Sequence, residues 1–139
     1  MPDIVEVARS WVGTPFVPQQ SVKGQGCDCK GLIAGIAREM GRPEAASVHA
    51  LAIDYDLGRN VPSARLKVGL AELFDIVDNI QPGDILLLNW HGKPGHLAIA
   101  TDEGLAVHAQ IAPAAKVKET RLRALLKACP LDTIYRWRS

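Results

Sequence analysis

At Pro82 the hydrophobic pattern of the chain changes period, and that switch limits the fold more than any other feature. Before it, apolar residues recur at helical spacing. Ile4, Ala8 and Trp11, flanked by Val5 and Val12, predict a helix over 3–12, stopped by Gly13-Thr14-Pro15. Leu32, Ile33, Ile36, Ala37 and Met40 predict a second over 28–40, with Asp28 as its N-cap and Gly41 and Pro43 as its end. Positions 14–26 read as loop, and a short helix near Val48–Asp54 precedes one over Arg65–Phe74. After the Pro82-Gly83-Asp84 turn, Ile85–Trp90, His96–Thr101 and Leu105–Gln110 read as strands joined by Gly-containing turns. Val117 sits in a fourth strand, Arg121–Ala128 is a short helix and Thr133–Arg138 a last strand. Helices first and an antiparallel meander afterwards predict an α+β fold, its N-terminal helices packed on an antiparallel sheet. A chain of 139 residues with no repeat and no internal linker predicts a single domain over 1–139.

Composition removes several classes of function. The chain is 47% hydrophobic and 22% charged, an ordinary globular balance. Sixteen basic residues against 15 acidic ones leave a net charge of +1, which gives no electrostatic case for nucleic acid. The longest apolar run, Ile85–Leu88, is strand-sized, so no membrane insertion is expected. Three cysteines cannot make a fully paired disulfide framework, and Cys27 and Cys29 are too close to bridge without strain. Cytoplasmic synthesis follows, and Met-Pro-Asp-Ile-Val-Glu is no secretory signal. A substrate outside the cytoplasm would need another carrier to bring the protein to it.

The chemistry concentrates in Gly-Cys-Asp-Cys-Lys-Gly-Leu-Ile, residues 26–33, where a Gly-rich loop runs into a helix. A thiol there meets unpaired backbone N–H groups and the positive end of the helix dipole, which favour the reactive thiolate. His96 and His108 stand at equal offsets from Asp102, so a hairpin centred there makes them directly opposed neighbours. Alternation puts His96, Ala98 and Ala100 on one face with Ala106, His108 and Gln110. Small alanines on that face invite close packing by the Cys29 helix. A thiol at a helix start, an imidazole base and a second polar residue orienting it make a nucleophilic cysteine site, with backbone N–H groups near Cys29 serving the oxyanion. The plainer readings are a buried cysteine and satisfied strand histidines. A zinc site is disfavoured because structural sites use wider thiol spacing. Cys27 reads as structural, Cys129 as core, His49 and His91 as loop or surface residues, and Trp90 as a buried strand end rather than a cleft residue.

Five stretches resemble the NlpC-type cell-wall peptidases, which are papain-like cysteine peptidases. They are Trp-Val-Gly-Thr-Pro-Phe (11–16), Gly-Cys-Asp-Cys-Lys-Gly-Leu (26–32), Gln-Pro-Gly-Asp-Ile-Leu-Leu-Leu (81–88), Gly-His-Leu-Ala-Ile (95–99) and Val-His-Ala (107–109). The Gly-Thr-Pro-aromatic opening is similar to the subgroup found in phage tails and gene-transfer-agent particles. The resemblance implies Cys29 as nucleophile, His96 as base and His108 as orienting residue, with Asp28, Lys30 and Phe16 lining the substrate side. It implies no metal and no cofactor. The implied reaction is hydrolysis of a peptidoglycan stem peptide, between D-γ-glutamyl and the diamino acid, through a thioester. Tail-tip or baseplate hub proteins are the implied partners, and the cell envelope the place of action.

Two positions depart from the family pattern. Phe16 stands where a Tyr hydroxyl is common, so Gln19, Gln20 or backbone would have to serve the oxyanion. Lys30 stands where Ser is common, and a cation there repels a substrate amine. These departures motivate a rival expectation, a catalytically weak or inactive tail component. An acyl- or amidotransferase using the same thiol chemistry is a third.

Overall fold

The computed structural model describes residues 3–53, 63–102 and 104–138. Helix α1 (Ile4–Ser10) begins at Asp3, whose side chain caps the Val5 N–H. A two-strand hairpin, β1 (Ser21–Val22) and β2 (Gly26–Cys27), leads into α2 (Cys29–Glu39). Helices α3 (Ala45–Ile53) and α4 (Ser63–Leu73) follow. The remainder is β3 (Asp75–Val77), β4 (Ile85–Trp90), β5 (Lys93–Ala100), β6 (Leu105–Gln110), β7 (Lys116–Arg121), α5 (Leu122–Ala128) and β8 (Leu131–Arg136). The six longer-range strands form one antiparallel sheet in the order β3-β8-β4-β5-β6-β7. The α+β class predicted by the change of period is the observed one.

Two apolar clusters sandwich this sheet. On one face Leu32, Ile33 and Ile36 of α2 meet Ile85, Leu87, Leu97, Ile99, Val107 and Val117. On the other, Leu125 and Cys129 meet Leu86, Leu88, Ala98, Ala100, Ala106 and Ile134. Strand β4 is therefore buried on both faces, which explains its unbroken Ile-Leu-Leu-Leu run. The expectation that the alanines of β5 and β6 receive the Cys29 helix is overturned. They receive α5, while the opposite face of the sheet receives the large side chains of α2, Leu32, Ile33 and Ile36. The small residues of α2 serve its other neighbours: a Cβ on Gly35 would stand 2.2 Å from the ring of buried Trp11, at the end of α1.

Other boundaries also moved. The 14–26 loop contains β1, β2 and the start of an edge. Val117 N–H donates to Thr14 O, Gly13 N–H donates to Val117 O, and Phe16 N–H donates to Ala115 O, so residues 13–16 lie along β7. Strand β3 was not anticipated. The helix expected near Val48–Asp54 is α3, and Asp54 lies outside the described residues. The Pro82-Gly83-Asp84 turn is locked from its own end: both oxygens of Asp84 accept from Arg136 at 2.8 and 2.9 Å, and one also accepts the Gln81 N–H at 2.8 Å.

Candidate active site

The site begins with Asp28. Its extended backbone makes it the N-cap of α2; one carboxylate oxygen accepts the Gly31 N–H at 2.7 Å and the other the Gln19 N–H at 2.8 Å. The same side chain therefore starts the helix and ties down the preceding loop. It is 1% exposed. Gln19 is held at φ +66°, and the Gln20 carbonyl rests where a Cβ on Gly31 would fall, 2.0 Å away. Only glycine at position 31 admits this approach. Asp28 was expected on the substrate side; the structure assigns both its oxygens to backbone donors.

Cys29 is the first helical residue, as the motif predicts. Its Sγ faces the carbonyl oxygen of Gly95, the residue before His96, at 3.8 Å, and Lys30 Nζ donates to the same sulfur at 3.8 Å. Among the described residues no hydrogen bond joins Sγ to the His96 ring. Gly95 has no partner in the β4–β5 register, which shifts between Leu88 and Asn89; that bulge brings its main chain to the thiol. No signal beyond the Gly-His pair marked Gly95 in advance.

His96 Nε2 lies 3.0 Å from His108 Nδ1, with the two rings nearly perpendicular. Direct opposition was expected, but Ala98 is the residue that faces His108. The hairpin is centred one position later than Asp102, and the two histidines are diagonal neighbours whose ring lengths close the gap. Both are buried. Burial, with the charges of His108 and Lys30, pushes His96 down to about 3; burial and the Lys118 charge push His108 down to about 4. Both are thus neutral imidazoles at physiological pH. Trp90 is 38% exposed, not the buried strand end expected, and its ring stands 5.8 Å from that of His96. It borders a cleft of about 580 Å³ lined also by Asn89, His91, Ala128 and Pro130.

The other candidates separate cleanly. Cys27 is fully buried, and burial, then Asp28 and Cys29, raise its thiol to about 12, which removes it as a nucleophile. Cys129 sits in the α5 cluster with its thiol raised by burial. All three cysteines are free. Phe16 packs against the α2 core and bridges to Cys27. His49 is not a surface loop residue but part of α3, and His91 is an exposed turn residue at φ +52°. Among the described residues no three His, Cys, Asp or Glu side chains converge as a metal set, and no helix is long and apolar enough to cross a membrane.

No family model matches this sequence, and no curated protein does. Solved structures match over nearly the whole chain. The NlpC/p60 domain of the peptidoglycan hydrolase SagA is 23% identical, with 96% of this chain and 95% of that one covered at a TM-score of 0.60. NlpC2 from Trichomonas vaginalis is 18% identical at a TM-score of 0.68; 98% of this chain covers 46% of that protein. RipD from Mycobacterium tuberculosis, described as a non-catalytic NlpC/p60 domain protein adapted to peptidoglycan binding, is 16% identical, with 98% of each chain covered at a TM-score of 0.52. The chain has the NlpC/p60 fold.

Proposed function

We propose that this chain is a cysteine peptidase that hydrolyses peptidoglycan stem peptides. The observation that carries the reading is the polar relay on this fold: a helix-start thiol against the main chain of β5, and His96 bonded to His108 at 3.0 Å. With Nε2 of His96 donating to His108 Nδ1, Nδ1 of His96 is left to accept a proton. Cys29 Sγ attacks the scissile carbonyl as that proton passes to His96, and the C–N bond breaks as His96 returns it to the leaving amine. Water then cleaves the thioester, and the sulfur recovers a proton. The Cys29 N–H, with no acceptor among the described residues, is placed to meet the oxyanion, and Phe16 supplies no hydroxyl to help it. Asp28 serves the substrate through the helix end it fixes; Lys30 and Phe16 border it directly.

The bond we assign is that between D-γ-glutamyl and the diamino acid. The setting we assign is a phage or gene-transfer-agent tail, where tip or baseplate hub proteins carry a cytoplasmically made chain to the envelope. A non-catalytic tail component is the second reading, favoured by Phe16, Lys30 and the equally complete match to RipD. Incubation of purified protein with murein sacculi, followed by mass spectrometry, decides between them. Wild type releases stem-peptide fragments and Cys29→Ser does not. Full activity in Cys29→Ser, or none in wild type, rejects the peptidase reading.

A further inference from the structure

The hydrogen bond between His96 and His108 can run in either sense, and the sense decides which nitrogen of His96 is free. For His96 Nδ1 to take a proton, His96 Nε2 must donate to His108 Nδ1. The proton of neutral His108 then sits on its own Nε2. That atom is buried and has no hydrogen-bond partner among the described residues. A buried N–H left without an acceptor is costly. Two residues on, Gln110 Oε1 is a buried acceptor that has no donor among the described residues.

We propose that Gln110 is a positioning residue of this site, its amide oxygen accepting the His108 Nε2 proton and so fixing the sense of the His96–His108 bond. The proposal rests on His96 being the base.

Placement on the sheet favours this pairing. His108 and Gln110 share a face of β6 with Ala106, which packs in the α5 cluster, while the intervening Val107 and Ala109 pack in the α2 cluster. Strand β7 sets Lys118 opposite His108 and Lys116 opposite Gln110, and an ammonium donates but does not accept. Ala98 faces His108 from β5 with no polar side chain. Thr120 Oγ1 is also buried and unpartnered, but it lies opposite Ala106 on a side chain of one bond's reach. Residues two apart on a strand stand about 7 Å from each other, a gap that a glutamine side chain crosses and a threonine does not. The imidazole and the amide are not bonded in the conformation described, and rotation about the glutamine torsions closes the contact. In the opposite sense His108 Nδ1–H donates to His96 Nε2, the His96 proton sits on Nδ1, and the Cys29 proton has no acceptor there. Gln110 thus acts through His108 and not on the sulfur.

Long-range proton–nitrogen NMR of the histidine rings at pH 7, where both are neutral, reads which nitrogen of each carries the proton. Wild type shows His96 and His108 both protonated chiefly on Nε2. Gln110→Met keeps the length and removes the amide; it shifts the ratio of the two senses about fivefold toward the reverse, the effect of one lost neutral hydrogen bond. Gln110→Glu keeps an acceptor and restores the wild-type ratio. Thr120→Val leaves the ratio unchanged. Iodoacetamide labelling, read by peptide mass spectrometry, checks folding, since the buried Cys27 and Cys129 stay protected in a folded chain; Gln110→Leu replaces Met where they do not. An unchanged ratio in Gln110→Met overturns the proposal, as does a shift in Thr120→Val of the same size. Wild-type His108 protonated on Nδ1 also overturns it. A ratio that depends on Gln110 in a protein that releases nothing from murein rejects the peptidase reading and leaves this assignment intact.

Discussion

His96 and His108 lose solvent on folding and gain each other, and the stability of the chain inherits their titration. Each has a lower pKa in the folded chain than the usual 6.5 or so of an exposed imidazole. The unfolded chain therefore binds more protons between about pH 6.5 and the folded values near 3 and 4. This contribution to stability is complete above the upper limit and is lost as pH falls through the window, by up to about 1.4 kcal/mol per pH unit per proton. Thermal melts from pH 7.5 to pH 4 should show a falling Tm, with a shallower slope in His108→Gln than in wild type; identical slopes reject this account. At this scale the sequence was informative about identity and weaker about roles. The helix-start position of Cys29 and the nearness of His96 to His108 were legible in residue types and spacing. That Asp28 gives both oxygens to backbone was not, because the partner at Gln19 depends on a loop conformation with positive φ.

Helix α2 sets the geometry of the site, and glycine makes that possible. Gly31→Ala would drive a Cβ into the Gln20 carbonyl, a backbone atom that cannot step aside as a side chain can. It should cost about 1–3 kcal/mol. It should also slow Cys29 labelling more than Gly35→Ala does, since the latter presses on Trp11, away from the thiol. Equal labelling in the two variants would sever the link between loop contact and thiol position. Element boundaries followed the sequence where the pattern was long: Ile85–Trp90 and Leu105–Gln110 emerged as predicted. They departed where pattern was scarce. Strand β3 has three residues and no alternation to read, and the β5–β6 register turned on a single position in the hairpin loop. The alanine face misled because small residues mark close approach without saying which partner approaches.

Across the whole molecule, the NlpC/p60 fold is carried at 16–23% identity to the solved structures described above. In this chain Asp84 and Arg136 clamp the turn before β4 to the last strand. Asp84→Ala should lower stability, because it removes the acceptor shared by Arg136 and the Gln81 N–H. Urea unfolding measures this, and an unchanged midpoint would show the clamp to be dispensable. The fold class was legible from periodicity; the division of the sheet into an α2 face and an α5 face was not, because both faces of β4 are equally apolar. A last consequence concerns order of assembly. Residues 13–16, which lead into the nucleophile loop, lie along β7, far downstream in the chain. On the ribosome residues 13–16 lack this backbone edge until β7 has emerged, so a prematurely ended chain carries the cysteine without part of the framework around it. The surroundings of Cys29 are thereby completed only once β7 has been made.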